Sequence, residues 1–427
     1  MAISAQSLLA TLDELLPGQV RLATEDDRIA GVLPQVVVEP ENEDCVATVL
    51  ARATEDRLAV LTRGGGTHQL TGAPPVHGDV LLSTGKLTKV LEHAPHDQTV
   101  TVEAGVTLAA LQQHLGRTQQ WLALDPVCDA GATIGGLIAT NASGARRMRY
   151  GGVRDQLIGV RVALADGTVV KGGGKVVKNV AGYDVPKLFT GSLGTLGVIV
   201  SATFRLYPVT TEAGTVVVYA STLAALGDLA TEIRQSTLVP TSMDLLPPTP
   251  EFQMGVRFES GVVAAITEQC ETVTRLASSR GLRSRVLPPE LATAFWSAVH
   301  DINLHDHTRP TVLLKVSLLP TEIAGWLDGL ARATGPDVLT RWRAHMGHGQ
   351  IFVRLIGEET TLAAAVTRLR VDATARRGSL VVVEAEPALA LQVDVWGPVA
   401  GLDVMRRLKE RFDPQGILNP GRFVGGI

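Results

Sequence analysis

The sequence is poor in cysteine, in aromatic side chains and in long apolar runs, and each shortage excludes a class of protein. Only three cysteines, Cys45, Cys128 and Cys270, occur in 427 residues. Their wide spacing fits neither a disulfide framework nor the clustered thiolates of a zinc or iron–sulfur site. No run of about 20 apolar residues is present, so we expect no membrane span. We therefore expect a protein of a reducing compartment.

A strong excess of either charge is also missing. The chain has 39 Lys and Arg against 43 Asp and Glu, and the two signs are mixed along its length. This excludes the basic footprint of a nucleic-acid-binding protein. The N-terminus lacks the basic region and continuous apolar core of a signal peptide, and its apolar spacing predicts an amphipathic helix instead.

The length and the patterning predict more than one domain. A single core stops growing near roughly 250 to 300 residues, so a longer chain normally divides. Short β-branched runs alternate with helical periods over residues 1–210, where Asn42 is placed as the N-cap of a helix. Over 211–398, strands alternate with helices rich in Ala and Arg, which predicts an antiparallel sheet with helices on one face. Residues 399–427 predict a helix followed by glycine turns.

Three glycine-rich segments in the first part carry the chemistry. The sequence RGGGT (63–67) follows an apolar strand, and consecutive glycines allow backbone N–H groups to converge on a phosphate. Residues 125–152 are mostly small, so a flat or extended group can approach the backbone there. In the third segment, 179–208, the spacing is GxxGxxG before a strand, which excludes the GxGxxG of a dinucleotide-binding helix. Isolated glycines more often serve turns alone; we therefore weigh the three segments together.

In this order, RGGGT, TIGG with ATNASG, RYG and GSLGTLGVI resemble the FAD-binding domain of the vanillyl-alcohol-oxidase type, also called PCMH-type. Within that family the chain is similar to the FAD-linked 2-hydroxyacid oxidases, most clearly over about residues 30–210. The resemblance implies an α+β fold, with a two-part FAD-binding domain and an antiparallel-sheet cap domain with helices on one face. The expected division is 1–210 for the FAD-binding domain, 211–398 for the cap and 399–427 for a segment returning to the FAD-binding domain.

The resemblance also implies the residues that hold FAD. The first loop would contact the diphosphate, the second segment the flavin and its ribityl chain, and the third the adenosine. Some relatives attach FAD covalently through a histidine after the loop glycines, but Thr67 occupies that position here, so we expect non-covalent FAD. The implied cofactor-binding residues are Arg63, Gly64, Gly65, Gly66, Thr67, His68, Pro126, Gly131, Thr133, Gly135, Gly136, Thr140, Gly144, Tyr150, Gly197, Val198 and Ile199.

The catalytic and metal motifs of those relatives are incomplete in this chain. Oxidation of a hydroxyacid needs a base and cations for the carboxylate. In the stretch that resembles GHxGDGNxH, His345 fits the first histidine, but His348 and Phe352 replace later ligands, so we predict no metal. The predicted catalytic residues are His345, Arg343, Lys178 and Arg309, and the alternative for each is an ordinary surface or core polar residue.

The strongest resemblance is to the FAD-binding second subunits of three-part bacterial glycolate oxidases. It implies oxidation of glycolate or D-lactate, hydride transfer to flavin N5, and electrons passed to an iron–sulfur subunit beside a catalytic flavoprotein. It also implies a cytoplasmic protein, at the inner face of the membrane if its partners are there. Two alternatives stay open: a stand-alone FAD-dependent D-2-hydroxyacid dehydrogenase, and a non-catalytic electron-transfer or scaffold subunit.

Overall fold

The computed structural model describes residues 4–126, 130–175, 183–300 and 309–427. Two residues singled out above, Cys128 and the predicted catalytic Lys178, lie outside the described residues. In the part of the chain that is described, no helix is both long enough and apolar enough to cross a membrane.

The first part of the chain forms two sheets and one short ribbon. The first sheet has the strand order β1–β2–β4–β3, and β4 pairs in parallel with β2 and with β3. The second sheet has the order β5–β6–β10–β8–β9 and is antiparallel. Strands β7 and β11 form the ribbon. The strands are β1 (Val20–Leu22), β2 (Val36–Val38), β3 (Val60–Arg63), β4 (Val80–Ser83), β5 (Val90–Ala94), β6 (Thr99–Glu103), β7 (Gln120–Trp121), β8 (Leu157–Ala163), β9 (Val169–Gly173), β10 (Val198–Arg205) and β11 (Tyr207–Pro208).

Helices between these strands begin where the sequence supplies capping side chains. Asn42 caps the second helix as predicted, because its side-chain oxygen accepts a hydrogen bond from the Cys45 N–H at 2.9 Å. Thr133 caps the fourth helix in the same way. The helices are α1 (Ala5–Leu15), α2 (Glu43–Asp56), α3 (Leu108–Gly116), α4 (Ile134–Thr140), α5 (Arg147–Tyr150), α6 (Val153–Gln156) and α7 (Val185–Phe189).

The cap is one antiparallel sheet of eight strands in the order β15–β12–β14–β13–β17–β18–β16–β19. It confirms the predicted antiparallel sheet, and its strands all lie between residues 212 and 385. The exact domain boundaries at 210 and 398 stay a prediction. The strands are β12 (Glu212–Ala220), β13 (Ser242–Leu246), β14 (Phe252–Ser260), β15 (Arg283–Val286), β16 (Thr311–Ser317), β17 (Leu339–His345), β18 (Gln350–Ile356) and β19 (Ser379–Ala385).

The two faces of this sheet have different surroundings. Successive side chains of a strand point to opposite faces, so Val312, Leu314 and Val316 share one face, which is packed into the helical core. Leu313 and Lys315 share the other face, which turns toward the first part of the chain. The helices are α8 (Leu223–Gln235), α9 (Val263–Ser279), α10 (Pro289–His300), α11 (Ile323–Thr334), α12 (Glu359–Ala375) and α13 (Pro387–Ala390); α10 packs against Val217 at one end of the second face.

The C-terminal segment returns to the first part of the chain. After helix α14 (Leu402–Phe412), Leu418 forms a parallel bridge with Val60 of β3. The buried Asn419 side chain accepts a hydrogen bond from the Thr62 N–H at 3.1 Å and donates one to the Leu193 carbonyl oxygen at 3.1 Å. The last residues therefore complete the wall beside the RGGGT loop.

Candidate active site

The glycines of the RGGGT loop lie against another part of the chain. A β-carbon on Gly64 would meet the Thr133 hydroxyl at 2.2 Å, and one on Gly65 would meet the Gly131 carbonyl oxygen at 1.7 Å. Thr133 ties the two segments together, because its hydroxyl accepts from the Gly65 N–H at 3.3 Å and from the Gly136 N–H at 3.4 Å. Side chains at Gly64 and Gly65 are therefore excluded by the second glycine-rich segment of the chain itself.

A small cavity of about 90 Å³ opens beside these two segments. Three elements face this cavity: the end of β3, the start of helix α4 and the start of β10. Each of them adjoins one of the three glycine-rich segments, so these segments meet at the cavity although they are far apart in sequence. Other lining residues were not predicted from the sequence, and these include Thr62, Leu193 and Arg422. Of the predicted cofactor-binding residues, the cavity is lined by Arg63, Gly64, Gly65, Gly66, Thr67, His68, Thr133, Gly135, Gly136, Thr140, Gly197, Val198 and Ile199.

Four predicted cofactor-binding residues do not line this cavity. The Gly131 carbonyl faces Gly65, and Gly144 packs against the backbone of Asp125. Tyr150 is buried in an edge-to-face cluster with Trp121 and Tyr207. Pro126, partly exposed, is at the end of a described range. A role for these residues in binding FAD stays a prediction.

Arg422 supplies a cation to the small cavity. Its side chain is 5% exposed, and one guanidinium nitrogen donates to the carbonyl oxygens of Gln69 and Thr71 at 2.7 Å each. Its Nε is buried without a partner, and burial lowers the pKa of the guanidinium to about 10. A glycine loop in the lining and a cation without a carboxylate partner in the described ranges fit a diphosphate. The residues present thus fit FAD at this cavity.

A larger cavity of about 470 Å³ adjoins the small one and shares Thr67, His68, Thr140 and Leu193 with it. One wall comes from the first part of the chain and is built of small residues, including Asn141, Ala142, Ser143 and Gly191. The opposite wall is the second face of the cap sheet, together with an edge-to-face aromatic pair near the C-terminus. Those residues are Leu313, Lys315, Arg343, Gln350, Phe352, Val381, Val383, Glu384, Trp396 and Phe423.

Strand pairing places two cations of this wall in one row. Arg343 on β17 pairs with Phe352 on β18, and Phe352 pairs with Lys315 on β16. On its other side, Lys315 pairs with Val381 on β19. The Arg343 guanidinium carbon lies 4.9 Å from the Phe352 ring centroid. Because neighbouring strands are about 4.8 Å apart, the backbones of Lys315 and Arg343 are roughly 10 Å apart, with the phenyl ring between them.

Lys315 was not among the predicted site residues, and its environment is that of a ligand-binding cation. Burial lowers the pKa of its ammonium group, and the charge of Arg147 acts in the same direction. No carboxylate pairs with it in the described ranges. Arg343 is 2% exposed and donates to the Val299 carbonyl oxygen, and its Nε has no partner among the described residues. Burial lowers its pKa to about 10, and the nearby Asp244 and Asp125 act in the opposite direction.

His345 lies next to the cavity wall and pairs with an aspartate. Its Nδ1 is hydrogen-bonded to Asp244 across the β13–β17 pair, and its ring stacks on His348 at 4.9 Å. Burial lowers the pKa of His345 well below its ordinary value and raises that of Asp244 to about 7. Both groups are therefore held toward their uncharged forms. The imidazole does not line either of the two adjoining cavities.

The remaining predicted catalytic residue, Arg309, is exposed and lines neither cavity. Within the described ranges, no group of three or more His, Cys, Asp or Glu side chains is placed to hold a metal ion. The polar groups of the larger cavity are thus suited to bind an anion and to move a proton.

Comparison with known proteins agrees with this geometry. The family model for the FAD binding domain matches residues 34–173, and the one for the C-terminal domain of FAD linked oxidases matches residues 396–423. Residues 34–173 are thus similar to an FAD-binding domain and residues 396–423 to the C-terminal domain of FAD linked oxidases, and FAD is the cofactor that these family models name.

Two relatives and one solved structure show how far the similarity extends. The glycolate oxidase subunit GlcD of Bacillus subtilis is 26% identical over 418 residues, which cover 92% of this chain and 89% of that protein. A D-lactate dehydrogenase of Archaeoglobus fulgidus is 41% identical over 173 residues, 40% of this chain and 39% of that protein. The structure of an alkyldihydroxyacetonephosphate synthase covers 92% of this chain and 78% of its own at a TM-score of 0.73; at 17% identity it shows the fold alone.

Proposed function

We propose that the protein oxidises a 2-hydroxyacid, such as glycolate or D-lactate, to the corresponding 2-oxoacid. The names of the two relatives indicate this class of substrate. One observation of this chain carries the proposal: the cavity beside the glycine segments ends on a wall that presents Lys315 and Arg343. A binding site for a carboxylate thus adjoins the site that fits FAD.

The residues of the small cavity would hold FAD without a covalent bond. Glycine N–H groups of residues 64–66 and the Arg422 guanidinium suit the diphosphate, and the small residues 140–143 suit a flat group. Bound FAD would supply the acceptor for the hydride that leaves C2 of the substrate. Thr67 has no group able to form the histidyl attachment that some relatives use.

The cap sheet would bind and orient the acid. Lys315 would hold the carboxylate beside Arg343, because both cations line the cavity and neither forms an ion pair with a carboxylate among the described side chains. The hydroxyl proton needs an acceptor within hydrogen-bond reach. Glu384 lines the cavity and is ion-paired with Arg354 at 3.2 Å, whereas His345 lies outside the lining, so we assign the proton to Glu384.

We further propose that electrons leave through an iron–sulfur protein, in an assembly that includes a second flavoprotein. The relative that matches 92% of this chain is itself described as a subunit. The stand-alone alternative is supported by the name of another relative, the D-lactate dehydrogenase of Archaeoglobus fulgidus, which is not described as a subunit. Turnover of the purified chain with an artificial acceptor, compared with turnover after adding the partners, separates the two.

The test of the reaction is an anaerobic absorbance spectrum of the FAD-loaded protein before and after adding glycolate or D-lactate. We expect the oxidised flavin band to bleach. Lys315→Met should keep FAD and raise the dissociation constant of the acid by roughly 10- to 100-fold, because a hydrogen bond to a charged group is lost. The matched control is the exposed Lys171→Met, which should behave as wild type.

Two results would contradict the proposal. A wild-type flavin band that no 2-hydroxyacid bleaches, with or without the partner subunits, would remove the reaction. Bleaching of the Lys315→Met protein at wild-type acid concentrations would remove the assignment of the carboxylate to Lys315 while leaving the reaction in place.

A further inference from the structure

We propose that Asp27 is a positioning residue for the cofactor, which holds the Arg63 side chain beside the RGGGT loop at the small cavity. Asp27 was not among the predicted site residues, and it precedes the residues 34–173 that the family model for the FAD binding domain matches. Arg63 lines the small cavity and Asp27 does not, so Asp27 acts through Arg63. The inference rests on the proposed placement of FAD and not on the oxidation of a 2-hydroxyacid.

The Asp27 carboxylate is buried and surrounded by hydrogen-bond donors. Its side chain is 3% exposed. Oδ2 accepts from Arg21 at 2.6 Å, from the Thr24 N–H at 2.9 Å and from the Thr24 hydroxyl at 3.1 Å. Oδ1 accepts from Arg21 and from Arg63, both at 2.9 Å. The Arg21 hydrogen bonds, with smaller effects from Thr24 and Arg63, hold the pKa of the carboxyl well below its ordinary value although burial acts in the opposite direction, so the group is charged.

The Arg63 side chain is held at both of its ends. Its backbone belongs to β3 and pairs with Ser83 of β4, and its carbonyl oxygen accepts from the Thr84 N–H at 2.9 Å. At the other end, Nη2 of the guanidinium donates to Asp27. Between these points, Arg63 Cδ lies 3.9 Å from where a β-carbon of Gly66 would be. The aliphatic part of Arg63 therefore lies against the loop that lines the cavity.

The negative charge of Asp27 and its position have opposite effects on a bound diphosphate. If Asp27 acted through its charge alone, removing that charge would strengthen the attraction between Arg63 and the diphosphate. If Asp27 positions Arg63, its removal frees a long side chain, and ordering that side chain again costs conformational entropy. The sign of the change in FAD affinity therefore distinguishes positioning from a simple charge effect.

Asp27→Asn is suited to break the contact with Arg63 selectively. Three donors from Arg21 and Thr24 converge on Oδ2, so we expect the amide oxygen of the variant to occupy that position. The amide NH2 group then faces the Arg63 guanidinium, and two donors cannot form a hydrogen bond with each other. Arg63 therefore loses its partner while the other hydrogen bonds at Oδ2 remain.

The test measures the dissociation constant of FAD by dilution of the FAD-loaded protein, with FAD release followed by flavin fluorescence. We expect Asp27→Asn to raise this constant by roughly 10- to 100-fold, because a hydrogen bond between two charged groups no longer holds Arg63. Arg63→Met should raise it by a similar factor. The double variant should bind FAD no more weakly than Arg63→Met alone, because the two residues act through one contact.

Two controls separate positioning from a general loss of stability. Arg21→Met removes two hydrogen bonds from the same carboxylate but leaves Arg63 bonded to it, and Arg21 does not line the cavity. Glu25→Gln removes an exposed carboxylate two residues earlier, where it is paired with Arg28. Both variants should bind FAD within about threefold of wild type. Arg21→Met should nevertheless melt at a lower temperature, because a buried carboxylate loses a partner.

Three results would overturn the inference and leave the proposed reaction intact. They are FAD affinity in Asp27→Asn equal to or tighter than that of wild type, an equal loss of affinity in Arg21→Met, and additive losses in the double variant. If Asp27→Asn does not fold, Arg63→Met decides the question, since wild-type affinity for FAD in that variant would also overturn the inference. The expected losses in a protein whose flavin no 2-hydroxyacid bleaches would support the inference and remove the proposed reaction.

Discussion

At the scale of single residues, Gly65 has the least room for a side chain among the described glycines. The Gly131 carbonyl oxygen lies 1.7 Å from where its β-carbon would be, so even alanine must push two backbone segments apart. Because both segments form the cavity that fits FAD, we expect Gly65→Ala to be purified with less than about a tenth of wild-type FAD, a loss of about 1.4 kcal/mol or more in binding. The flavin-to-protein absorbance ratio measures this.

The control for this change is Gly116→Ala at the end of helix α3. A β-carbon there meets nothing within 4 Å, and the residue does not have a positive φ angle. The variant should retain wild-type FAD. A Gly65→Ala protein that is equally rich in FAD would show that the loops can separate without losing the cofactor.

The sequence was informative about residues that belong to local patterns and uninformative about residues that act through pairing. Glycines 64–66 and Gly197 were singled out from their spacing and from the resemblance alone, and they line the small cavity; their contact with FAD stays a prediction. Lys315 could not, because it stands alone in the apolar strand TVLLKVS and its role depends on Phe352 and Val381 of other strands. Arg422 lies in the segment 399–427, which was predicted only to return to the FAD-binding domain, and nothing in its local sequence NPGRF indicated that it lines the small cavity.

At the scale of elements, the pairing of β13 with β17 brings Asp244 against His345 and makes stability depend on pH. Burial raises the pKa of Asp244 from 3.8 to about 7, so the folded protein holds a proton that the unfolded chain releases. The stability from this group is present below about pH 4 and is lost as pH rises to about 7. Because asparagine does not ionise, Asp244→Asn removes this pH-dependent loss of stability. Its side-chain oxygen can still accept a hydrogen bond from His345.

We therefore expect the melting temperature of Asp244→Asn, relative to wild type, to rise between about pH 4 and pH 7. The change in relative unfolding free energy should be on the order of a few kcal/mol over that window. Thermal unfolding at a series of pH values measures it. The control is Asp403→Asn on the exposed side of α14, whose melting temperature relative to wild type should not vary over the same pH window. If the relative melting temperature of Asp244→Asn also did not vary with pH, the Asp244 carboxyl group would ionise normally in the folded protein.

Elements with strong local signals were predicted well, and their arrangement was not. The capped helix α2 begins after Asn42, as the sequence predicted. The order of the eight cap strands depends on contacts between residues far apart in sequence, such as Asp244 with His345. No local pattern could reveal which strand faces carry the cavity wall.

At the scale of the whole molecule, the cap is joined to the first part of the chain by a buried ionic contact. Glu259 on β14 has a side chain that is 3% exposed, and its Oε1 accepts from Arg146 and from Arg257 at 2.8 Å each. Arg146 also stacks on Trp121, with 4.8 Å between the guanidinium carbon and the ring centroid. Nearby, Gly347 of the cap packs so closely on Met148 that a β-carbon would meet its sulfur at 2.2 Å.

Because the larger cavity lies between the two parts and adjoins the cavity that fits FAD, loss of the Glu259 charge should affect stability and cofactor together. Glu259→Gln leaves Arg146 and Arg257 without their carboxylate partner. Because the two arginine side chains are 24% and 23% exposed, the unfolding free energy should fall by about 2 to 4 kcal/mol, somewhat less than for a fully buried ion pair. Urea unfolding followed by tryptophan fluorescence and by FAD release measures both effects. Glu251→Gln removes a more exposed partner of Arg283 and should cost about 0 to 1 kcal/mol. If Glu259→Gln lost no more stability than Glu251→Gln, the contact would be dispensable, and packing such as that of Gly347 on Met148 would have to hold the cap in place.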